Sequence, residues 1–286
     1  MSNRPEAPEP LPHPVVDNHC HLDIARGDDE PALPVAEALS RAAAVGVPRI
    51  VQIGCDLPGA RWAVRTAEQY DAVVAGVALH PNEAPRLAAR GELDAAMAEI
   101  EALAASSDRV RAVGETGLDY FRTGPSTGSG ADGRQVQRDA FSAHIDLARR
   151  LDKTLVIHDR DSHDDVLAVL DEVGAPERWV MHCFSGDADF ARACLDRGAY
   201  LSFSGTITFK NAEQVRDALR LAPADRILVE TDAPYLTPSP HRGRTNASYM
   251  VPLTVRSMAA TRGDDLAALC AVIDANTDRA FGGAWG

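Results

Sequence analysis

The sequence predicts a single-domain α/β protein, a (β/α)8 TIM barrel. Three observations carry that expectation. Eight short, β-branched apolar runs recur along the 286 residues, and segments of helical spacing separate them. The runs do not alternate cleanly between polar and apolar residues, as expected of strands buried on both faces. The length suits one barrel of about 250 residues with modest additions.

The runs, in order, are Val15–Cys20, Arg49–Gly54, Val73–Leu79, Val110–Glu115, Thr154–His158, Trp179–Cys183, Tyr200–Ser204 and Ile227–Thr231. Between them lie helical patterns at Pro34–Val45, Gly59–Gln69, Leu93–Ala105, Gln135–Leu151, Asp164–Val173, Ala188–Arg197 and Ala212–Leu221. Two further patterns, Ser248–Thr261 and Asp264–Ala275, complete the outer ring. An open doubly wound sheet is the competing fold, but no glycine-rich phosphate loop follows any strand. The barrel is expected over 15–286. Residues 1–14, polar and Pro-rich, read as a disordered lead-in. The segment Arg122–Gly133, rich in Gly and Ser, reads as a solvated loop. Its place after a barrel strand leaves a lid over the site as a second reading.

Composition narrows the class. With 45% hydrophobic and 25% charged residues, the chain is an ordinary globular one, neither disordered nor fibrous. No apolar stretch reaches the ~20 residues of a membrane helix, and residues 1–14 show no apolar h-region or twin-Arg pattern. The five cysteines are scattered and form no CxxC pair, which suits a reducing compartment and argues against a zinc finger. A cytoplasmic protein is expected, with the oligomeric state open and a monomer the simplest reading. A formal net charge of −13 counts against a protein that coats nucleic acid through a basic surface. It leaves room for an enzyme that grips a few phosphates through metal ions and local arginines.

The histidines and acids fall at strand ends. His19 and His21 end the first run and, two apart on a strand, share one face. Glu115 ends the fourth run, His158 the fifth, His182 the sixth, and Asp232 follows the eighth. Taken singly, each is an ordinary satisfied polar residue. Taken together, six such groups converging on the catalytic face of one barrel would suffer a severe desolvation cost without a cation. Mixed imidazole and carboxylate donors suit Zn²⁺, Mn²⁺, Fe²⁺ or Co²⁺ better than they suit the Mg²⁺ or Ca²⁺ of an all-oxygen cage. Six donors are too many for one catalytic ion with an open position and suit two, so two divalent metal ions (Zn²⁺, Mn²⁺ or Mg²⁺) are expected.

The segments DNHCHLD, VGETGLDY, IHDRDSHDD, MHCFSG and VETDAPYL resemble, in order and spacing, the motifs of the TatD family of metal-dependent hydrolases. These are TatD-type deoxyribonucleases of the amidohydrolase-like superfamily. The resemblance runs from Asp17 to Phe281. It implies one metal held by His19, His21 and Asp232, a second by His158 and His182, and Glu115 bridging the two. It further implies DNA as substrate, cut by a 3′-5′ exonuclease on single-stranded or frayed ends. Asp232, able both to ligate and to take a proton from water, is the candidate general base. Glu230, two residues earlier, is either the partner of a ligating histidine or a structural acid.

Substrate contacts rest on weaker patterns. His80 and Asn82 match the family's His-Pro motif and are candidates to contact a phosphate, with a simple turn as the alternative. Arg160, Lys210, His241, Arg242 and Arg244 supply cations for a nucleotide track; HRGRTNAS agrees with the family's usual HRGK-type segment only in part. His144, where the family more often has Gln, reads as a satisfied core histidine. His163 reads as part of a helix start, and Cys20 and Cys183 as packing residues facing away from their ligand neighbours. Two other functions remain open at this level. One is metal-dependent ester or amide hydrolysis, such as D-aminoacyl-tRNA deacylation. The other is a non-catalytic, metal-containing nucleic-acid binder.

Overall fold

The computed structural model describes residues 3–27, 31–121 and 130–286. Eight parallel strands form one sheet in sequence order: β1 (Val16–Cys20), β2 (Arg49–Gly54), β3 (Val73–Val77), β4 (Val110–Asp119), β5 (Thr154–Arg160), β6 (Trp179–Met181), β7 (Tyr200–Phe203) and β8 (Ile227–Val229). Helices α1 (Val35–Ala43), α2 (Leu57–Gln69), α3 (Ala84–Ala89), α4 (Leu93–Ala105), α5 (Gly130–Arg150), α6 (His163–Val173), α7 (Ala188–Asp196), α8 (Glu213–Leu221), α9 (Val251–Arg262) and α10 (Leu266–Ala280) surround it. This is the TIM barrel expected. Among the described residues, no helix is long and apolar enough to cross a membrane.

The core has two layers. Val16, Val51, Val74, Ala112, Val156, Val180, Tyr200 and Leu228, one from each strand, cluster with Phe281 and Trp285. They fill the barrel lumen, and the C-terminal aromatics plug its lower end. A larger cluster, including Ile50, Ala63, Phe141 and Val255, lies between strands and helices. Burial on both faces is why the strand runs read as continuously apolar.

The barrel closes at its upper end through the residues expected to bind metal. The Asp232 amide donates to the His19 carbonyl at 2.9 Å, and the His21 amide donates to the Ala233 carbonyl at 2.8 Å. Below them, Asp17 accepts from the Thr231 amide at 2.8 Å and the Thr231 hydroxyl at 2.6 Å. Asn18 donates to the Val229 carbonyl at 2.9 Å.

Two bulges re-aim the ligand-bearing strands. Between Asp17 and Cys20, β1 uses three steps where β2 uses two, Ile50 to Gln52. Between Val113 and Thr116, β4 does the same against β5, Leu155 to Ile157. His19 and Glu115 sit within these bulges, which turn a side chain out of the regular alternation. Gly117 permits the next contact: its φ is +130°, and a Cβ there would lie 2.1 Å from the His158 carbonyl oxygen.

Several expectations need correction. Residues 3–14 are not a disordered lead-in but a packed strap. Leu11 is buried, its amide bonds the Val45 carbonyl at 3.0 Å, and the Tyr249 hydroxyl donates to the Pro5 carbonyl at 2.9 Å. The segment has no side-chain periodicity because backbone carbonyls make its attachments. The six-residue helix α3 was not anticipated, being too short to show a helical period. Of the segment Arg122–Gly133, residues 122–129 lie outside the described residues, and so does any lid there; α5 begins at Gly130, inside that segment.

Candidate metal centre

Glu115 stands at the middle of a ring of imidazoles, almost fully buried. Its Oε1 lies 2.6 Å from His158 Nδ1 and 2.9 Å from His182 Nε2. Its Oε2 lies 3.4 Å from His19 Nε2 and 4.0 Å from His21 Nε2. One carboxylate thus faces two pairs of histidines, one oxygen to each. Asp232 Oδ1 joins the second pair, 3.4 Å from His21 Nε2 and 3.9 Å from His19 Nε2. All six residues expected to bind metal come together at the upper end of the barrel, although β4 runs on past Glu115 to Asp119 rather than ending there as expected.

Neighbouring groups set the direction of each ring. His21 Nδ1 donates to the Ile53 carbonyl at 3.0 Å, which turns its Nε2 to the centre. His182 Nδ1 lies 3.0 Å from Glu230 Oε1, and Glu230 also accepts from the Cys183 amide at 2.8 Å. Glu230 is therefore paired with His182, one of the histidines expected to bind metal, rather than standing as an isolated structural acid. Asp232 carries φ of +53°, a left-handed backbone that Asp adopts more readily than most residues.

The donor chemistry fits a cation. Among the described residues, neither ring nitrogen of the fully buried His19 has a hydrogen-bond partner, nor does His158 Nε2. Buried unpaired imidazole nitrogens are costly unless something takes their lone pairs. Donor atoms of His19, His21 and Glu115 lie within 4.8 Å of one another, and so do those of Glu115, His158 and His182.

Electrostatics point the same way. Burial alone would raise the Glu115 carboxyl, yet His182, His80 and His158 hold it well below the usual range. Burial opposes charge on His21, but Asp232 and Glu115 lift it to about 9. Burial likewise opposes charge on His158, and Asp119 and Glu115 raise it to about 9. His19 shifts downward through burial and through His182 beside it. The carboxylates demand positive charge, and a cation that supplies it must displace imidazole protons.

The other expected contacts divide. His80 and Asn82 line the cleft above the centre, a cavity of about 580 Å³ that also takes in Asp119, Arg160, Thr206 and Tyr235. His80 Nε2 is 3.6 Å from Glu115 Oε1, and Asn82 Nδ2 donates to Asp119 at 2.8 Å. Arg160 is exposed on the wall, its guanidinium 3.8 Å over the Phe121 ring. Lys210, His241 and Arg242 are not among the residues lining this cleft. Arg242 stacks over Phe209, and Arg244 donates to the carbonyls of Asn3 and Arg4. Arg244 is thus engaged in holding the N-terminal strap. Cys183 corrects another expectation: β6 ends at Met181, the backbone turns left-handed at Cys183, and the residue lines the cleft.

Two members of the site went unread in the sequence. Asp119, at the end of β4, lies 3.5 Å from His158 Nε2. Cys55 follows β2 and donates to Glu115 Oε2 at 3.3 Å. The signal was available: other strands carry their chemistry at or just past the C-terminal end, and these positions end β4 and follow β2.

The sequence profile of the family described as "TatD related DNase" matches residues 16–282. The chain belongs to the TatD family. A Mycobacterium tuberculosis protein named "Uncharacterized metal-dependent hydrolase TatD" is 46% identical over 271 residues, covering 95% of this chain and 99% of that one. A Citrobacter rodentium TatD protein, named "3'-5' ssDNA/RNA exonuclease TatD", is 33% identical over 254 residues, covering 86% and 91%. The crystal structure of the Escherichia coli TatD homologue YJJV superposes with a TM-score of 0.82 at 26% identity, covering 94% of this chain and 98% of that one. This TatD-family chain is a metal-dependent hydrolase with the family's barrel.

Proposed function

We propose that the chain is a dinuclear metal-dependent phosphodiesterase that shortens single-stranded or frayed DNA from its 3′ end. The observation that carries this reading is Glu115, with one carboxylate oxygen toward His19 and His21 and the other toward His158 and His182. His19, His21 and Asp232 would hold one cation, His158 and His182 the other, with Glu115 shared. When bound, such cations supply Lewis-acid neutralisation of a phosphoryl oxygen and a water acidic enough to act near neutral pH.

The chain's own groups do the rest. Asp232 borders the cleft, with 16% of its side chain exposed, and its carboxylate oxygen accepts the attacking water's proton. The Ile53 carbonyl and Glu230 each take the Nδ1–H of a histidine, so His21 and His182 present Nε2 to the centre. Asn82 ties Asp119 to the turn carrying His80, holding that wall in register. Arg160 offers a guanidinium to a backbone phosphate at the mouth. A polynucleotide substrate agrees with the name of the Citrobacter relative, and an acidic protein with a local cleft suits chain ends better than duplex coating.

The test is cleavage of end-labelled single-stranded DNA with Mg²⁺, Mn²⁺ or Zn²⁺ supplied. Shortening that begins at the 3′ end, lost in Asp232→Ala, is the expected result. No cleavage with any of the metals contradicts the proposal and makes D-aminoacyl-tRNA and small esters the next substrates.

A further inference from the structure

Among the described residues, the large hydrophobic side chains left exposed are Phe121, at 59%, and Tyr235, at 43%. Both stand at the mouth of the cleft over the metal centre. Tyr235 lines the cleft directly, and Phe121 lies under the guanidinium of Arg160, which lines it too. Phe141, Phe184, Phe203, Tyr249 and Phe281 are buried, and Trp62, Tyr70, Tyr120 and Phe209 are partly buried. Exposed aromatic rings gathered at one opening mark a binding surface more than a packing defect.

Their positions in the fold are complementary. Phe121 follows β4 and Tyr235 follows β8, and in a sheet of order β1 to β8 those strands stand on opposite sides of the barrel. Glu115 lies within β4 and Asp232 just past β8, so the same two strands carry the central carboxylates. Tyr235 thus stands beside Asp232 on one side of the cleft, and Phe121 lies against Arg160 on the other. Backbone hydrogen bonds hold the chain at Tyr235 and just before Phe121. The Tyr235 amide donates to the Asp232 carbonyl at 2.9 Å, and its carbonyl accepts from Asn246 Nδ2 at 2.6 Å. The residue before Phe121, Tyr120, is fixed by its amide to the Arg160 carbonyl at 2.8 Å.

We infer that Phe121 and Tyr235 are two nucleobase-stacking walls that flank the metal centre and grip a single strand by its unpaired bases. This deepens the reading of the chain as a nuclease and rests on it. Every base has a π-face, so two stacking walls hold a strand without reading its sequence. Arg160, lying across the Phe121 ring, offers its edge to the phosphate beside the stacked base, which joins base and backbone recognition in one unit. In a duplex the bases are stacked on each other and unavailable, so the same walls select single-stranded or frayed ends. With a net charge of −13, the protein has little general attraction for polyanions, which gives stacking a larger share of the grip.

The test uses metal-loaded protein and two probes, a fluorescein-labelled oligothymidylate with phosphorothioate linkages and an abasic strand of the same length and linkage. Anisotropy titration is expected to show wild type binding the base-carrying strand at least tenfold more tightly than the abasic one. Phe121→Ala and Tyr235→Ala each shrink that ratio severalfold, and Phe121→Trp keeps it. In parallel, KM for cleavage of ordinary oligothymidylate rises about tenfold in the alanine variants. If wild type cleaves DNA but binds both probes equally, or the alanine variants keep the full ratio, the stacking walls are overturned and the nuclease reading stands. If wild type cleaves no DNA, the nuclease reading fails, and the binding ratio alone then decides the walls: a ratio near one overturns them, a tenfold ratio lost in the variants upholds them.

Discussion

The amide of Asp232 and the carbonyl of His19 share a 2.9 Å hydrogen bond that closes the barrel between its first strand and the chain beyond its last. The same two residues stand in the candidate metal centre, so the contact that closes the barrel also holds two candidate ligands side by side. Asp17 anchors the seam below, where it accepts from both the amide and the hydroxyl of Thr231 while fully buried. Asp17 also accepts from the His19 amide at 3.4 Å, so Asp17→Ala leaves three buried donors unmet and should cost about 2–4 kcal/mol. A urea titration followed by circular dichroism checks this, with wild-type stability in the variant as the contrary result.

Glu230 acts on the centre through His182. Removing it in Glu230→Ala frees the His182 ring to turn, and metal affinity should fall about 10–100-fold while the barrel stays folded. Glu230→Gln keeps an acceptor for both His182 and the Cys183 amide and should lose less. Calorimetric titration with Mn²⁺ of the two variants and wild type gives the order; equal affinities would remove Glu230 from the account.

His144 supplies a pH dependence away from the centre. It is fully buried on α5, bonded to the Thr116 hydroxyl at 2.9 Å, and burial depresses it from 6.5 to about 4. The unfolded chain takes up this proton near pH 6.5 while the folded chain resists until about 4. The stability from the neutral ring is thus complete above 6.5 and lost as the pH falls toward 4. The loss amounts to about 3 kcal/mol. His144→Gln, which can still bond Thr116, should flatten that part of the curve; chemical denaturation at a series of pH values would reveal an unchanged slope if another group is responsible.

The acidic surface predicts local, salt-sensitive binding. With Arg160 the cationic side chain lining the cleft, the log–log slope of single-strand affinity against salt should be shallow, about −1. Affinity for long duplex DNA that survives high salt would contradict a local cleft.

The strands and the six clustered donors were legible because both follow from chain-local rules. A buried parallel strand is a short apolar run, and barrel chemistry sits where such runs end. What escaped depends on contacts distant in sequence. Residues 3–14 look like a free lead-in until Arg256 and Tyr249 are seen donating to their carbonyls. Arg244 looks like a phosphate ligand by its neighbours in sequence, yet its guanidinium meets Asn3 and Arg4, some 240 residues away. Cys183 was assigned to the packing side by strand alternation, which stops applying once β6 ends at Met181. The bulges that turn His19 and Glu115 toward the centre exist only as mismatches with neighbouring strands.

The most direct test of the account follows cleavage and metal content in the same samples. Metal-free protein is titrated with Mn²⁺, bound ions are counted by equilibrium dialysis, and each sample is assayed on end-labelled single-stranded DNA. The account predicts two bound ions per chain, with 3′-end shortening appearing as the second is taken up and both ions weakened in Glu115→Ala. Full activity with one bound ion, or a Glu115→Ala protein that binds two ions as wild type does, would contradict it.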